Sequence, residues 1–589
     1  MAKTETFQRA DRTGSGASGR MSVEAGSRRR AAFRVLAVVF GLAPFVIVEV
    51  ALRVLDVARP TAYVDPFVGF SDVHPLFELD QNAGVWRTAP SRRLHFCVQE
   101  FAAEKPADTL RVFCLGGSTV YGRPFMAQTA FPRWLELELA GTDLSHRYEV
   151  INCGGISYAS YRLVPILQEV LHYDPDLIVV ATGHNEFLED RTYGEIKRRS
   201  AMRRWLEERL YSLRIVTVAR RLAHAAALNS GGPTQPILPD EVEARLDDQS
   251  GYASYHWDPE WRRRVIAHYR ESLTGMTRLC AAAGVPLLFV NLGSNLRDCP
   301  PFKSELNPQI RPERENRWQA LFDEAAEVEP KDPRRAIELY RQAKQIDDHF
   351  ALLEYRIAGC LDRLGRYAEA RDYYVLAKEK DVCPLRMLEP MHEALFEVAA
   401  ETGTPVVDAR RLLAELSADE LPGYDWYVDH VHPNVSGHQR IAQAIARTLR
   451  GIGWMSGGQW SDAERQAAYR LHLESLGPSY WADGRKRITW VESWSRRNRS
   501  AGDLTPRNAR AYANRARRWM ELGQTEPAWQ DCREAIQRDP AMRQAIVDHV
   551  RELEREGRPH LAEQLLQRLR QETERAESAE RGGADRLSD

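Results

Sequence analysis

Residues 111–119 read Arg111-Val112-Phe113-Cys114-Leu115-Gly116-Gly117-Ser118-Thr119. An apolar run that stops at a glycine pair predicts a buried strand ending in a tight turn, because glycine tolerates backbone conformations that a side chain obstructs. The hydroxyl of Ser118 then stands at the carboxyl edge of a sheet. Taken alone, Gly116-Gly117-Ser118 is also ordinary loop composition.

Outward from this stretch, strand-like runs follow at Tyr148–Ile151, Leu177–Ala181, Pro286–Asn291 and Pro405–Val407, so that Arg111–Leu115 is the first of five. Helical periodicity fills the intervals at Phe131–Ala140, Tyr161–Leu171, Trp261–Ala283 and Pro390–Glu401, and Ser436–Arg450 follows the last strand. Strands alternating with helices predict an α/β fold, a three-layer, doubly wound sandwich around a parallel five-stranded sheet. In such sheets chemistry collects at the carboxyl ends of the strands.

Those ends carry further reactive groups. The third run closes in Thr182-Gly183-His184-Asn185-Glu186, where the Asn185 amide is placed to donate to a developing oxyanion; a simple turn is the other reading. The second leads into Asn152-Cys153-Gly154-Gly155-Ile156-Ser157, whose backbone N–H groups, with that of Ser118, are further candidate donors. A pure packing role for its glycines competes with that reading. Near the end of the α/β region, Asp429-His430-Val431-His432-Pro433 sets a carboxylate and an imidazole three residues apart. Asp429 can fix the tautomer of His432, whose opposite nitrogen then takes the proton of Ser118. A solvated loop histidine and a metal ligand are the alternatives, but the pattern places no third ligand for a metal.

In this order the four stretches resemble the blocks of the SGNH (GDSL-like) hydrolase superfamily, over residues 108–450 apart from an insertion. The resemblance implies an SGNH, flavodoxin-like fold with Ser118 as nucleophile, His432 as general base and Asp429 as its orienting partner. It implies an oxyanion hole from Ser118, Asn185 and either Gly155 or Ser157, with no cofactor and no metal. Three residues in two blocks depart from the family pattern: His184-Asn185-Glu186 stands where Thr-Asn-Asp is more usual, and Ser157 stands at an expected glycine. The chain is also similar to large anchored bacterial members that carry segments like Ser294–Asp298 and Asp381–Arg386. That similarity makes Arg297 and Arg386 candidate ligands of an anionic substrate group, with a structural salt bridge as the competing role. The implied activity is hydrolysis of an O-acyl ester on an extracytoplasmic glycan or lipid. Acyl transfer by the same triad and a non-catalytic scaffold are the alternatives.

The remaining organisation follows from composition. Residues 1–31, rich in Ser, Gly, Arg and Ala, predict a disordered cytoplasmic tail. Residues 32–55 predict a transmembrane anchor, since Val35–Leu52 is apolar over about one bilayer crossing and follows Arg28, Arg29, Arg30 and Arg34. A cleaved signal peptide is the other reading, and both put the enzyme domain in the periplasm or its equivalent. Residues 56–107 form a juxtamembrane segment without assignable periodicity. The domain proper spans 108–310 and 383–452, interrupted at 311–382 by an insertion in which Ala336, Tyr340 and Ala343 recur 34 positions later as Ala370, Tyr374 and Ala377. This is the tetratricopeptide period, and it predicts helical hairpins suited to a protein partner. Residues 453–504 read as a linker, 505–573 as a second repeat pair and 574–589 as a disordered tail. With 81 basic and 83 acidic residues, the chain has no global field to hold nucleic acid. Its eight cysteines form no zinc-spaced cluster; Cys299 and Cys383, each before a proline, would be able to pair in an oxidising compartment.

Overall fold

The computed structural model describes residues 40–41, 43–55, 72–189, 213–216, 218, 237–238, 252–458, 460–496, 509–521, 523–555 and 562–571. The two expected disordered tails and residues 32–39 of the expected anchor lie outside them. The chain divides into two compact units, residues 1–66 with 199–235, and residues 67–198 with 236–589. In the first, residues 43–54 are helical, and Glu49 accepts hydrogen bonds from Arg53 Nε at 2.8 Å and from the Ile215 N–H at 2.9 Å. Among the described residues no helix is long and apolar enough to cross a membrane, so they lend the anchor expected at 32–55 no support.

The second unit is built on five strands, β1 (Thr109–Gly116), β2 (Arg147–Gly154), β3 (Leu177–Ala181), β4 (Leu287–Asn291) and β5 (Val406–Asp408). They lie in the order β5-β4-β3-β1-β2, all parallel. Val112, Phe113, Cys114 and Leu115 are all fully buried, which is why β1 reads as an unbroken apolar run rather than an alternating one. On one face, α1 (Phe131–Thr142) and a late helix, Val435–Gly451, share a core with Val112, Cys114, Val179 and Val290 through Trp134, Leu135, Ile441 and Ile445. The other face is covered by α2 (Ser160–Val170), α3 (Pro259–Ala283) and the helix Glu389–Thr402. The register sets Gly116 of β1 opposite both Gly154 of β2 and Ala181 of β3, so three strand ends finish in one row.

The long interval between β4 and β5 forms two helical hairpins, α4 (Pro312–Val328) with α5 (Pro333–Ile346) and α6 (Ala351–Arg363) with α7 (Tyr367–Glu379). Ala336, Tyr340, Ala343, Ala370, Tyr374 and Ala377 are all buried in a single core, the small alanines letting neighbouring helices approach. A similar core joins the helices Ala509–Glu521, Thr525–Arg538 and Met542–Arg555 through Ala516, Ala528, Cys532 and Val550.

Two regions differ from expectation. The stretch without periodicity contains a three-stranded antiparallel meander, Phe77–Asp80, Val85–Thr88 and Glu100–Ala102, whose Phe101 meets Phe113 of β1 edge-on. The supposed linker contains two helices, Asp462–Glu474 and Pro478–Arg496, and the first is opened by a reciprocal Ser461–Glu464 capping box. Among the described residues no disulfide forms, and Cys299 and Cys383 are buried thiols.

Candidate active site

β1 runs into Gly117 and a single helical turn, Ser118–Tyr121, which lifts Ser118 Oγ out of the sheet edge. A Cβ on Gly154 would fall 2.1 Å from the Tyr121 nitrogen, so only glycine lets this turn rest on the end of β2. Asn152 ties the same two segments, donating from Nδ2 to the Val120 carbonyl at 2.7 Å and accepting the Gly154 N–H at 2.9 Å.

His432 arrives from a tight hairpin after β5. Its carbonyl accepts from the Val428 N–H at 2.9 Å, and the Asn434 side chain caps the following helix through the Gly437 N–H at 2.8 Å. Asp429 Oδ1 accepts the N–H groups of Val431 and His432 at 2.9 and 2.8 Å, which leaves Oδ2 for His432 Nδ1 at 2.5 Å. On the far side of the ring, His432 Nε2 is 2.7 Å from Ser118 Oγ. Burial pushes the Asp429 carboxyl up, but His432, His430 and the hydrogen bonds from His432 outweigh it and hold it well below the usual carboxylate range. An ionised Asp429 requires the proton on Nδ1, so Nε2 presents its lone pair to the Ser118 hydroxyl.

Asn185 donates one Nδ2 hydrogen to the Tyr158 carbonyl at 3.0 Å and keeps the other. It lies against Gly117, where an added Cβ would come within 2.5 Å of Nδ2. The second-block loop is pinned by the segment before it. The Ile156 N–H donates to the His95 carbonyl at 3.0 Å, and Gln99 exchanges hydrogen bonds with the Asn152 backbone at 2.6 and 3.0 Å. The Gly155 N–H donates to the Gly116 carbonyl at 2.9 Å, a sheet-edge bond that removes Gly155 from the candidate oxyanion donors. The N–H groups of Ser118 and Ser157 make no hydrogen bond among the described residues. Ser157 has φ +64, the left-handed conformation that favours glycine.

The two other departures also have structural partners. Glu186 accepts the N–H and hydroxyl of Ser160 at 2.8 and 2.9 Å, fastening the third-block loop to α2. His184 Nδ1 accepts the Met387 N–H at 3.1 Å, while Nε2 is buried without an acceptor. Burial, with His430 and His432 nearby, pulls its pKa down to about 3 and keeps the ring neutral.

Arg297 and Arg386 are not brought to this site. Arg297 forms a two-pronged pair with Asp362 of α6 at 2.9 and 3.0 Å, and Arg386 donates to the carbonyls of Asn295 and Cys299 at 3.0 and 2.9 Å. Both are buried, so their charge is spent on internal acceptors, and they hold the 295–299 loop whose Asn295 N–H donates to the His430 carbonyl. Among the described residues, no three His, Cys, Asp or Glu side chains gather as a metal site. Gln99 had no motif to mark it, being one polar residue in an aperiodic stretch.

No family model and no curated protein matches the sequence. Solved structures similar to it include the lipase/acylhydrolase from Enterococcus faecalis, at 12% identity over 59% of this chain and 99% of that one, with a TM-score of 0.26. A putative lipolytic protein of the G-D-S-L family from Desulfitobacterium hafniense is similar at 9% identity, over 58% of this chain and 99% of the other, with a TM-score of 0.25. A catalytic mutant of an acetylxylan esterase from Geobacillus stearothermophilus is similar at 13% identity, over 61% and 98% of the two chains, with a TM-score of 0.25.

Proposed function

We propose that the protein is a serine ester hydrolase working through an acyl-enzyme on Ser118. The observation that carries this reading is the unbroken relay from Ser118 Oγ to His432 Nε2 at 2.7 Å and from His432 Nδ1 to Asp429 at 2.5 Å. Ser118 Oγ attacks the ester carbonyl carbon while its proton passes to His432 Nε2. The resulting oxyanion is received by the N–H groups of Ser118 and Ser157 and by the Asn185 amide. Collapse expels the alcohol, protonated by His432, and leaves the acyl group on Ser118. Water, deprotonated by His432, then attacks and releases the acid.

The substrate class we propose is an O-acyl ester of an extracytoplasmic glycan or lipid. Support for that location is the order of the N-terminal sequence, in which Arg28–Arg30 and Arg34 precede an apolar run. A panel of short-chain aryl esters and acetylated glycans, run against the protein and its Ser118→Ala variant, tests the reading. Ser118-dependent release of free acid is the expected result; release that survives Ser118→Ala would refute it.

A further inference from the structure

Arg123 stands five residues beyond the nucleophile, and its N–H donates to the Ser118 carbonyl at 3.0 Å. The turn that presents Ser118 Oγ therefore also fixes where this arginine begins. Its Nε is sealed from solvent with no acceptor, and among the described residues the guanidinium makes no hydrogen bond or ion pair. Three buried arginines in this unit meet carboxylates: Arg111 meets Glu149 and two carbonyls, Arg162 meets Glu189, and Arg297 meets Asp362. A partly buried cation without a counter-charge costs folding free energy, so a position that keeps one is suited to an anion from outside the chain.

A second cation reinforces it. Arg487, on the helix Pro478–Arg496, donates from its Nε and a terminal nitrogen to the carbonyls of Pro124 and Phe125 at 2.6 and 2.8 Å, and among the described residues it meets no carboxylate. That helix is seated on the loop after Arg123 by Tyr480, whose hydroxyl lies 2.8 Å from Thr129 Oγ1 and accepts the Met126 N–H at 3.1 Å. The Phe125 ring packs edge-on against Trp481. Burial lowers the pKa of Arg123, and Arg487 lowers it further, while Tyr121 and Asp429 act in the opposite sense. Asp429 is within electrostatic range, but its oxygens are committed to His432 and to backbone N–H groups.

We propose that Arg123, backed by Arg487, binds an anionic group of the substrate, a carboxylate or phosphate within reach of the scissile ester, so that the enzyme selects anionic esters. The proposal rests on the ester-hydrolase reading and narrows its substrate class. Guanidinium suits this task because its planar donors match carboxylate and phosphate oxygens.

The test uses the full-length protein and matched ester pairs. 4-Acetoxybenzoate against its methyl ester puts a carboxylate on the alcohol part, and 4-nitrophenyl hydrogen succinate against 4-nitrophenyl butyrate puts one on the acyl part. 4-Acetoxyphenyl phosphate supplies the phosphate arm. In Arg123→Gln the anionic-to-neutral ratio of kcat/KM falls about 10- to 100-fold in at least one pair, the scale of a lost charge-assisted hydrogen bond. Arg123→Lys recovers part of the ratio, and Arg487→Gln, further from the nucleophile's turn, lowers it in the same sense. Ratios unchanged in every pair and every variant, in protein whose Ser118 still reacts with a fluorophosphonate, overturn the proposal alone. Wild-type protein that is folded but unreactive at Ser118 removes the hydrolase reading, and the proposal with it.

Discussion

The Asn185 amide occupies the space beside Gly117, with Nδ2 2.5 Å from where a Cβ on that glycine would stand. The proposed oxyanion donor and the turn of the proposed nucleophile are therefore packed as one piece, and the missing side chain of Gly117 is what lets them meet. Asn185→Ala is expected to lower kcat by about 10²- to 10³-fold, the usual effect of losing one oxyanion donor. Gly117→Ala displaces the amide rather than deleting it and is expected to cost about 10- to 100-fold. Steady-state kinetics with an aryl acetate check both, and near-normal turnover in Asn185→Ala removes the amide from the oxyanion hole.

Ser157 offers a test of backbone against side chain. At φ +64 a non-glycine residue carries a cost of roughly 1–2 kcal/mol, partly offset by the greater chain entropy that glycine loses on folding. Ser157→Gly is expected to raise stability by up to about 1 kcal/mol in urea unfolding and to retain turnover, because the N–H is unchanged. A tenfold loss of kcat would show that the hydroxyl, not the N–H, serves the reaction.

Arg297 and Asp362 tie a loop of the α/β sandwich to the inserted hairpins through a buried two-pronged pair. Arg297→Ala strands the carboxylate of Asp362 and is expected to destabilise the fold by about 3–5 kcal/mol. The double change Arg297→Met with Asp362→Leu costs less than the single one, since an apolar pair leaves no stranded charge. Equilibrium unfolding of the three proteins decides the matter, and a loss below about 1 kcal/mol for Arg297→Ala contradicts a structural role.

His184 predicts an acid-sensitive stability term. Its folded pKa of about 3 lies below the ordinary 6.5, so the contribution of the neutral ring is present above pH 6.5 and is lost as pH falls toward 3. By pH 4 the loss reaches roughly 3 kcal/mol. Thermal melts of wild type and His184→Thr from pH 7 to 4 read it as a difference that grows in favour of the variant with acidity. Parallel profiles would show that His184 does not titrate in this way.

How much of this was legible in sequence depended on burial. β3 was readable to the residue, Leu177–Ala181, because a parallel strand covered on both faces is one apolar run. Ser118, Asn185, Asp429 and His432 were legible because each follows a strand end or hairpin with a turn residue beside it, and the fold brings all four to one edge. Phe77–Ala102 was not legible, since strands of three or four residues carry too little periodicity to register. The helices over 462–496 do carry a sequence signal, Ser461 three residues before Glu464 and Pro478 at a helix start. Gly155 differs from its expected role because a sheet-edge bond to Gly116, invisible in sequence, takes its N–H. For Arg297 and Arg386 sequence leaves a substrate role and a structural role side by side, because the partners that support the second, Asp362, Asn295 and Cys299, become neighbours only in the folded chain.

The central claim is that Ser118 is a nucleophile activated by His432. Treating the folded protein with a fluorophosphonate and mapping the adduct by mass spectrometry tests it most directly. One adduct, on Ser118, absent in Ser118→Ala and slowed by roughly 10³-fold or more in His432→Ala, is the predicted result. An adduct on another residue, or none on a cooperatively folded protein, contradicts the account.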